Sequence, residues 1–172
     1  GRSVRKQWRR IEMIKLYHGS NTKVERPDLK HSKPFKDFGC GFYLSAEKEQ
    51  AWEMARLKVN QTQTGKPEVS EFLFDETLMN SKELNVLTFP DYSEEWALFV
   101  LANRDKKKPQ PTHNYDIVYG PIADDGVTYQ LRRYEGGVIS LARLVEELKY
   151  AKGITFQYYF GSEKALRQIK LS

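Results

Sequence analysis

Two short stretches place chemically capable side chains beside glycine. In Ile14-Lys15-Leu16-Tyr17-His18-Gly19-Ser20 an alternating apolar run ends in an imidazole. In Phe38-Gly39-Cys40-Gly41-Phe42-Tyr43-Leu44-Ser45 a second run carries a tyrosine among glycines. The first reads as a strand that delivers His18 to a place where backbone must approach something closely, because Gly19 puts no side chain in the way. In the second, Tyr43 offers an aromatic face that attracts a cation by roughly 0.5–2 kcal/mol when desolvated. Gly39 and Gly41 permit a tight backbone around that face. Ser45, two residues on, points to the same side of the strand and can add a hydrogen bond. Each residue also has a plain alternative: a strand-end histidine is often structural, and with ten tyrosines in the chain Tyr43 can equally be core.

The elements that must position these residues follow from periodicity. A first strand is expected near 14–18, then an irregular polar loop over 20–37, whose length suggests a functional or disordered segment. A second strand covers 40–44, with Ser45 as N-cap of a helix over 46–59 whose apolar face is Ala51, Trp52, Ala55 and Val59. Strands are expected at 68–75 and 84–89, then a helix at 94–104 capped by Ser93. A β-branched strand at 116–121 precedes a helix over 125–133 opened by Asp124 and Asp125. A further helix at 141–150 is capped by Ser140, a strand runs over 154–160, and a closing helix extends from Ser162 to Ile169. Short strands mixed irregularly with helices favour an α+β class over a doubly wound sheet.

Composition bounds the rest. A chain of 172 residues with 40% hydrophobic and 13% aromatic residues fits one folded domain with a sizeable core. Cys40 is the only cysteine, so an internal disulfide is impossible and a reduced, cytoplasmic setting is the natural expectation. No run of about 20 apolar residues suits a bilayer, and neither a membrane nor a metal is expected as partner. Residues 1–12 carry a net of +4 against +5 for the whole chain, which leaves +1 for residues 13–172. The leader 1–12 is expected to be vector-derived or disordered, with a native basic arm as the alternative, and 13–172 to form the domain. Lys106, Lys107 and Lys108 with His113 read as a solvated loop or, less simply, as a patch steering an acidic partner. No GxGxxG, GxxxxGK[ST], CxxC pair or HExxH is present, so ordinary dinucleotide-fold, P-loop and zinc readings lack support.

At His18, Tyr43 and Gln157 the chain resembles the ADP-ribosyltransferase superfamily of diphtheria-toxin-like type. More closely it resembles the bacterial domain-of-unknown-function family 3990. The pieces that carry this are Leu16-Tyr17-His18-Gly19-Ser20, Asp37 to Ser45, Asp116-Ile117-Val118-Tyr119-Gly120-Pro121-Ile122-Ala123-Asp124-Asp125, and Gln157 with Phe160. They stand in order over residues 14 to 170. The resemblance implies a split β-sandwich of short strands with peripheral helices. It also implies NAD as co-substrate and transfer of ADP-ribose to a protein or nucleic-acid acceptor with release of nicotinamide.

On that resemblance His18, Tyr43 and Gln157 are the catalytic set, and Gly19, Ser20, Gly41, Phe42, Ser45 and Arg104 join His18 and Tyr43 in binding NAD. His18 would donate to a ribose hydroxyl, Gly19 backbone would pair with the carboxamide, and Arg104 would reach the pyrophosphate. Gln157 stands where better-known members carry glutamate; it keeps the hydrogen-bonding atoms and loses the charge and any basicity. Asp124, Asp125 and Asp116 are the candidates for a substitute acid, with helix N-terminal charge as the plain alternative for the first two. The implied setting is a bacterial toxin of a toxin–antitoxin or phage-defence system with a small antitoxin partner. Competing expectations are a catalytically silent NAD- or ADP-ribose-binding module and an NAD glycohydrolase.

Overall fold

The computed structural model describes residues 10–172. The basic leader therefore lies almost wholly outside the described residues. Strands β1 (Met13–Ser20), β3 (Glu68–Asp75) and β7 (Ile169–Leu171) form an antiparallel sheet in the order β1-β3-β7. Strands β2 (Phe42–Leu44), β4 (Val86–Thr88), β5 (Ile117–Pro121) and β6 (Phe156–Phe160) form a second in the order β2-β6-β5-β4. Helices α1 (Lys48–Thr62), α2 (Glu94–Arg104), α3 (Asp125–Glu135), α4 (Leu141–Leu148) and α5 (Glu163–Leu166) complete an α+β architecture, with a 3-10 turn at Glu76–Asn80. Among the described residues no helix is long and apolar enough to cross a membrane.

Strand alternation splits the apolar residues into two layers. Leu16, Phe72 and Phe74 from the first sheet meet Phe42, Leu44 and Phe160 from the second, forming the core between the sheets. On the opposite face of the second sheet, Val118 and Tyr159 pack with Trp96, Val100, Leu131 and Leu144 of α2, α3 and α4. Helix α2 starts where expected, because the Ser93 hydroxyl accepts from the Trp96 N–H at 3.0 Å. Ser140 does the same for α4 with Arg143 N–H at 3.1 Å.

Two expectations need correcting. Ser45 does not cap α1: the helix begins at Lys48 after Glu47, and the Ser45 hydroxyl donates to Gln50 Oε1 at 2.7 Å while accepting from Glu47 N–H at 3.0 Å. The closing helix stops at Leu166, since Ile169 enters β7 and pairs with Phe74 of β3. The close backbone approach expected at Gly19 is made by α1. A Cβ there would strike the Ala51 carbonyl oxygen and lie 2.8 Å from its carbon, so the missing side chain is what lets α1 lie on β1.

The two sheets are stitched to each other at a single bridge. Tyr17 N–H donates to Ser45 O at 2.7 Å and Ser45 N–H to Tyr17 O at 2.8 Å. Past this point β1 and β2 diverge, and residues of the chain between them, 21–41, line the space beside both strands.

Candidate functional site

The divergence of β1 from β2 is traceable to His18. Continued antiparallel pairing from the Tyr17–Ser45 bridge would set Gly19 opposite Tyr43. Instead the His18 ring takes the Tyr43 carbonyl, with Nδ1 at 2.7 Å. Alternate residues of a strand turn their N–H and C=O to the same edge, so Gly19, like Tyr17, faces away from β3. Its backbone donor and acceptor thus lie along an edge that no strand extends among the described residues. A primary carboxamide, which carries an acceptor beside N–H donors, is complementary to such an edge.

The tautomer of His18 follows from the same contact. A carbonyl oxygen only accepts, so Nδ1 carries the proton and Nε2 presents a lone pair. Burial, with lesser help from the Lys58 and Lys36 charges, pushes the imidazole down to about 4 despite the Tyr43 hydrogen bond. The ring is neutral at pH 7 and lies stacked on Phe42, centroids 4.1 Å apart at 23°. With Nδ1 committed to Tyr43, Nε2 is left able to accept a hydrogen bond but not to donate one.

Tyr43 shares its side of β2 with Tyr159 of β6, its register partner, and the rings meet edge-on at 5.4 Å. Its hydroxyl is committed to the preceding loop, donating to Gly39 O at 2.6 Å and accepting from Phe38 N–H at 3.1 Å. Gly39 takes φ +102°, a left-handed turn that suits glycine. His113 holds the same loop through Nε2–H to Phe38 O at 2.6 Å and takes the Tyr115 N–H at 3.1 Å on Nδ1, so its role is support. The Tyr43 phenol, buried and raised well above its ordinary pKa, is neutral. What it offers is the ring face, and the Lys36 ammonium stands 5.0 Å from its centroid.

Gln157 comes from β6, opposite Gly120 of β5, and is only 5% exposed. Extending the β2–β6 register by one step sets it against Ser45. Among the described residues its amide has no hydrogen-bond partner, although it lines the same cavity as His18 and Tyr43. The amide is not sealed from solvent, since the buried side-chain atoms without a partner among the described residues are Gln50 Nε2 and Gln110 Nε2, so Gln157 is free to hydrogen-bond to whatever occupies the cavity.

That cavity is about 590 Å³, within the range of small-molecule sites. His18, Gly19, Ser20, Gly41, Phe42, Tyr43, Ser45 and Gln157, all expected from the sequence, line it. Four expected residues do not. Arg104 pairs with Asp37, with Nε–H to Oδ1 at 2.7 Å, and donates to Thr128 Oγ1 at 3.1 Å. Asp37 also accepts the Ala123 N–H at 2.8 Å, so the pair ties the loop to α2 and to the entry of α3. Asp116 accepts from Asn85 N–H at 2.8 Å and Ser162 Oγ–H at 2.6 Å, a staple between loops. Asp124 caps α3 through Val127 N–H at 2.8 Å, and Asp125 is exposed in its first turn. None of these carboxylates supplies the charge that Gln157 lacks.

Sequence reasoning missed the charged lining. Lys23, Arg26, Lys33, Lys36 and Lys58 all face the cavity without an ion-pair partner among the described residues, against Glu25 and Asp28. Asp28 is occupied by His31 Nδ1 at 2.9 Å. A signal for Lys58 was available, because it follows Ala51 and Ala55 at helical spacing on the α1 face that meets β1.

A family model described as "Protein of unknown function (DUF3990)" matches residues 14–171. No curated protein and no solved structure matches the chain.

Proposed function

The chain belongs to the DUF3990 family of proteins of unknown function, and from that premise we propose that it is a mono-ADP-ribosyltransferase that uses NAD. The observation that carries this is the convergence of His18, Tyr43 and the unpartnered Gln157 amide, from three separate strands, on one cavity. The residues fit the nicotinamide riboside half of NAD. The Gly19 edge matches the carboxamide, the Tyr43 face suits a cationic ring, and His18 Nε2 accepts a ribose hydroxyl. The Gln157 amide offers a donor and an acceptor to a second hydroxyl.

These groups orient the ribose and hold the ring apart from water. The acceptor nucleophile then bonds to the ribose carbon as the carbon–nitrogen bond breaks, its electron pair leaving with neutral nicotinamide. The acceptor's proton passes to solvent, since neither His18, bonded at Nδ1 and weakly basic, nor Gln157 is a base matched to neutral pH. On the family resemblance we extend the proposal to a cytoplasmic bacterial toxin, of a toxin–antitoxin or phage-defence system, neutralised by a small protein partner.

A second reading is favoured by one specific finding. Gln157 is uncharged and Asp116, Asp124 and Asp125 stand outside the cavity, which fits a module that binds NAD or ADP-ribose without turnover. Incubation with NAD labelled in the adenylate half, plus cell lysate, separates the readings when free nicotinamide is followed in parallel. Transfer of label to macromolecules is the expected result. Nicotinamide release without transfer would make the protein an NAD glycohydrolase, and binding with neither signal would make it a silent module. His18→Ala and Tyr43→Ala should each abolish transfer; persistence in both would remove the assigned site.

A further inference from the structure

The cavity needs a partner for the two negative charges of a dinucleotide, and Arg104, the residue expected to provide it, is committed to Asp37. Lys58 stands where a replacement is required. It rises from α1, a helix fixed on β1 by the Gly19–Ala51 contact, so its stem is set rigidly beside the strand that carries His18. Its Nζ donates to Ser20 Oγ at 3.3 Å, on a residue that is 2% exposed at the end of β1. An ammonium has three donors, and this one has no carboxylate to meet. Its charge is felt at the His18 ring, as is that of Lys36.

Lys36 approaches from the other wall, on the covering loop, with its ammonium over the Tyr43 ring. Two cations cannot share one aromatic face, since like charges at such range repel. A cationic ring arriving there displaces the Lys36 ammonium toward the remaining negative charge of the ligand. We propose that Lys58, steadied by Ser20, and Lys36 together grip the diphosphate of the bound dinucleotide, with Lys36 leaving the Tyr43 face as the nicotinamide takes it. This rests on the NAD reading above and adds to it the residues that recognise the phosphate half.

The test is binding by calorimetry of ADP-ribose, NAD and nicotinamide to the full chain and its variants, alongside thermal melting. Lys58→Met should weaken ADP-ribose and NAD by at least about tenfold, the scale of one charge-assisted contact. It should leave nicotinamide within about twofold. Lys58→Arg, which keeps the charge, should recover most of the loss. Lys36→Met should weaken ADP-ribose while strengthening nicotinamide, because it clears the Tyr43 face that the ammonium occupies. Lys106→Met, on the exposed loop after α2, should change nothing. If Lys58→Met melts normally and binds ADP-ribose like the parent chain, the diphosphate assignment is overturned. The same holds if it loses nicotinamide in equal measure. Failure of the parent chain to bind nicotinamide or NAD, with Lys58-dependent binding of ADP-ribose retained, would instead overturn the NAD reading and leave the diphosphate grip standing.

Discussion

Protonation of His18 is the sharpest place to test the site, because its geometry makes a prediction opposite to that for an exposed histidine. The perturbation is pH, and the control is His18→Asn, whose amide nitrogen can replace Nδ1 as donor to the Tyr43 carbonyl. Burial lowers the imidazole from 6.5 to about 4. At roughly 1.36 kcal/mol for each pH unit, this corresponds to about 3 kcal/mol. The folded protein refuses the proton until pH falls near 4, whereas the unfolded chain accepts it near 6.5. Between those values the unfolded state binds more protons, so stability rises with pH and is fully present above about 7. On acidification the parent chain should lose about 3 kcal/mol more than the variant between pH 7 and pH 4, with no further difference below. Urea unfolding at several pH values measures this, and other titrating groups cancel in the comparison. Nicotinamide and NAD affinity should stay flat from pH 8 to about 5, because the Nε2 lone pair survives throughout. Parallel stability profiles for the two proteins, or a His18 ring resonance titrating near 6.5, would refute the buried, Nδ1-protonated assignment.

Three further substitutions probe separate parts of the argument. Gly19→Ala forces a methyl into the backbone of α1 and should destabilise by about 1–3 kcal/mol or more, read as a lowered melting temperature; unchanged melting would mean that α1 does not lie against β1. Arg104→Met strands the Asp37 carboxylate, whose side chain is 13% exposed, and should cost about 2–4 kcal/mol in urea unfolding. ADP-ribose affinity of the folded Arg104 variant should be unaltered, and a selective loss of that affinity would return Arg104 to the site. Gln157→Glu restores negative charge beside the reacting ribose and should raise nicotinamide release by at least about tenfold; slower release would show that the uncharged amide is the working group.

Much of the fold was legible because local chemistry and tertiary demand agree. The alternation through Ile14, Leu16 and His18, the hydroxyl caps at Ser93 and Ser140, and the glycine-flanked run ending in Tyr43 each announce their element from neighbouring residues alone. Where the reading failed, a distant partner decided the outcome. Ser45 has a good capping side chain, but its backbone is taken by Tyr17 and its hydroxyl by Gln50, so the helix starts later. Ile169 looks like the end of a helix until β3 supplies an edge for it to pair with.

The charged residues of the site divide on the same line. Arg104 and Lys58 look alike in sequence, each a cation on the last stretch of a helix beside apolar residues. What separates them is which element faces them: Asp37 folds back from the covering loop to neutralise Arg104, while among the described residues Lys58 hydrogen-bonds only to the Ser20 hydroxyl. A cation matched by a buried carboxylate is held for stability. One left beside a hydroxyl, in a cavity with an unpartnered amide, has its charge available for something that arrives from solution. Sequence periodicity puts both on helices; only the long-range pairing of the 21–41 loop says which of them is free to act.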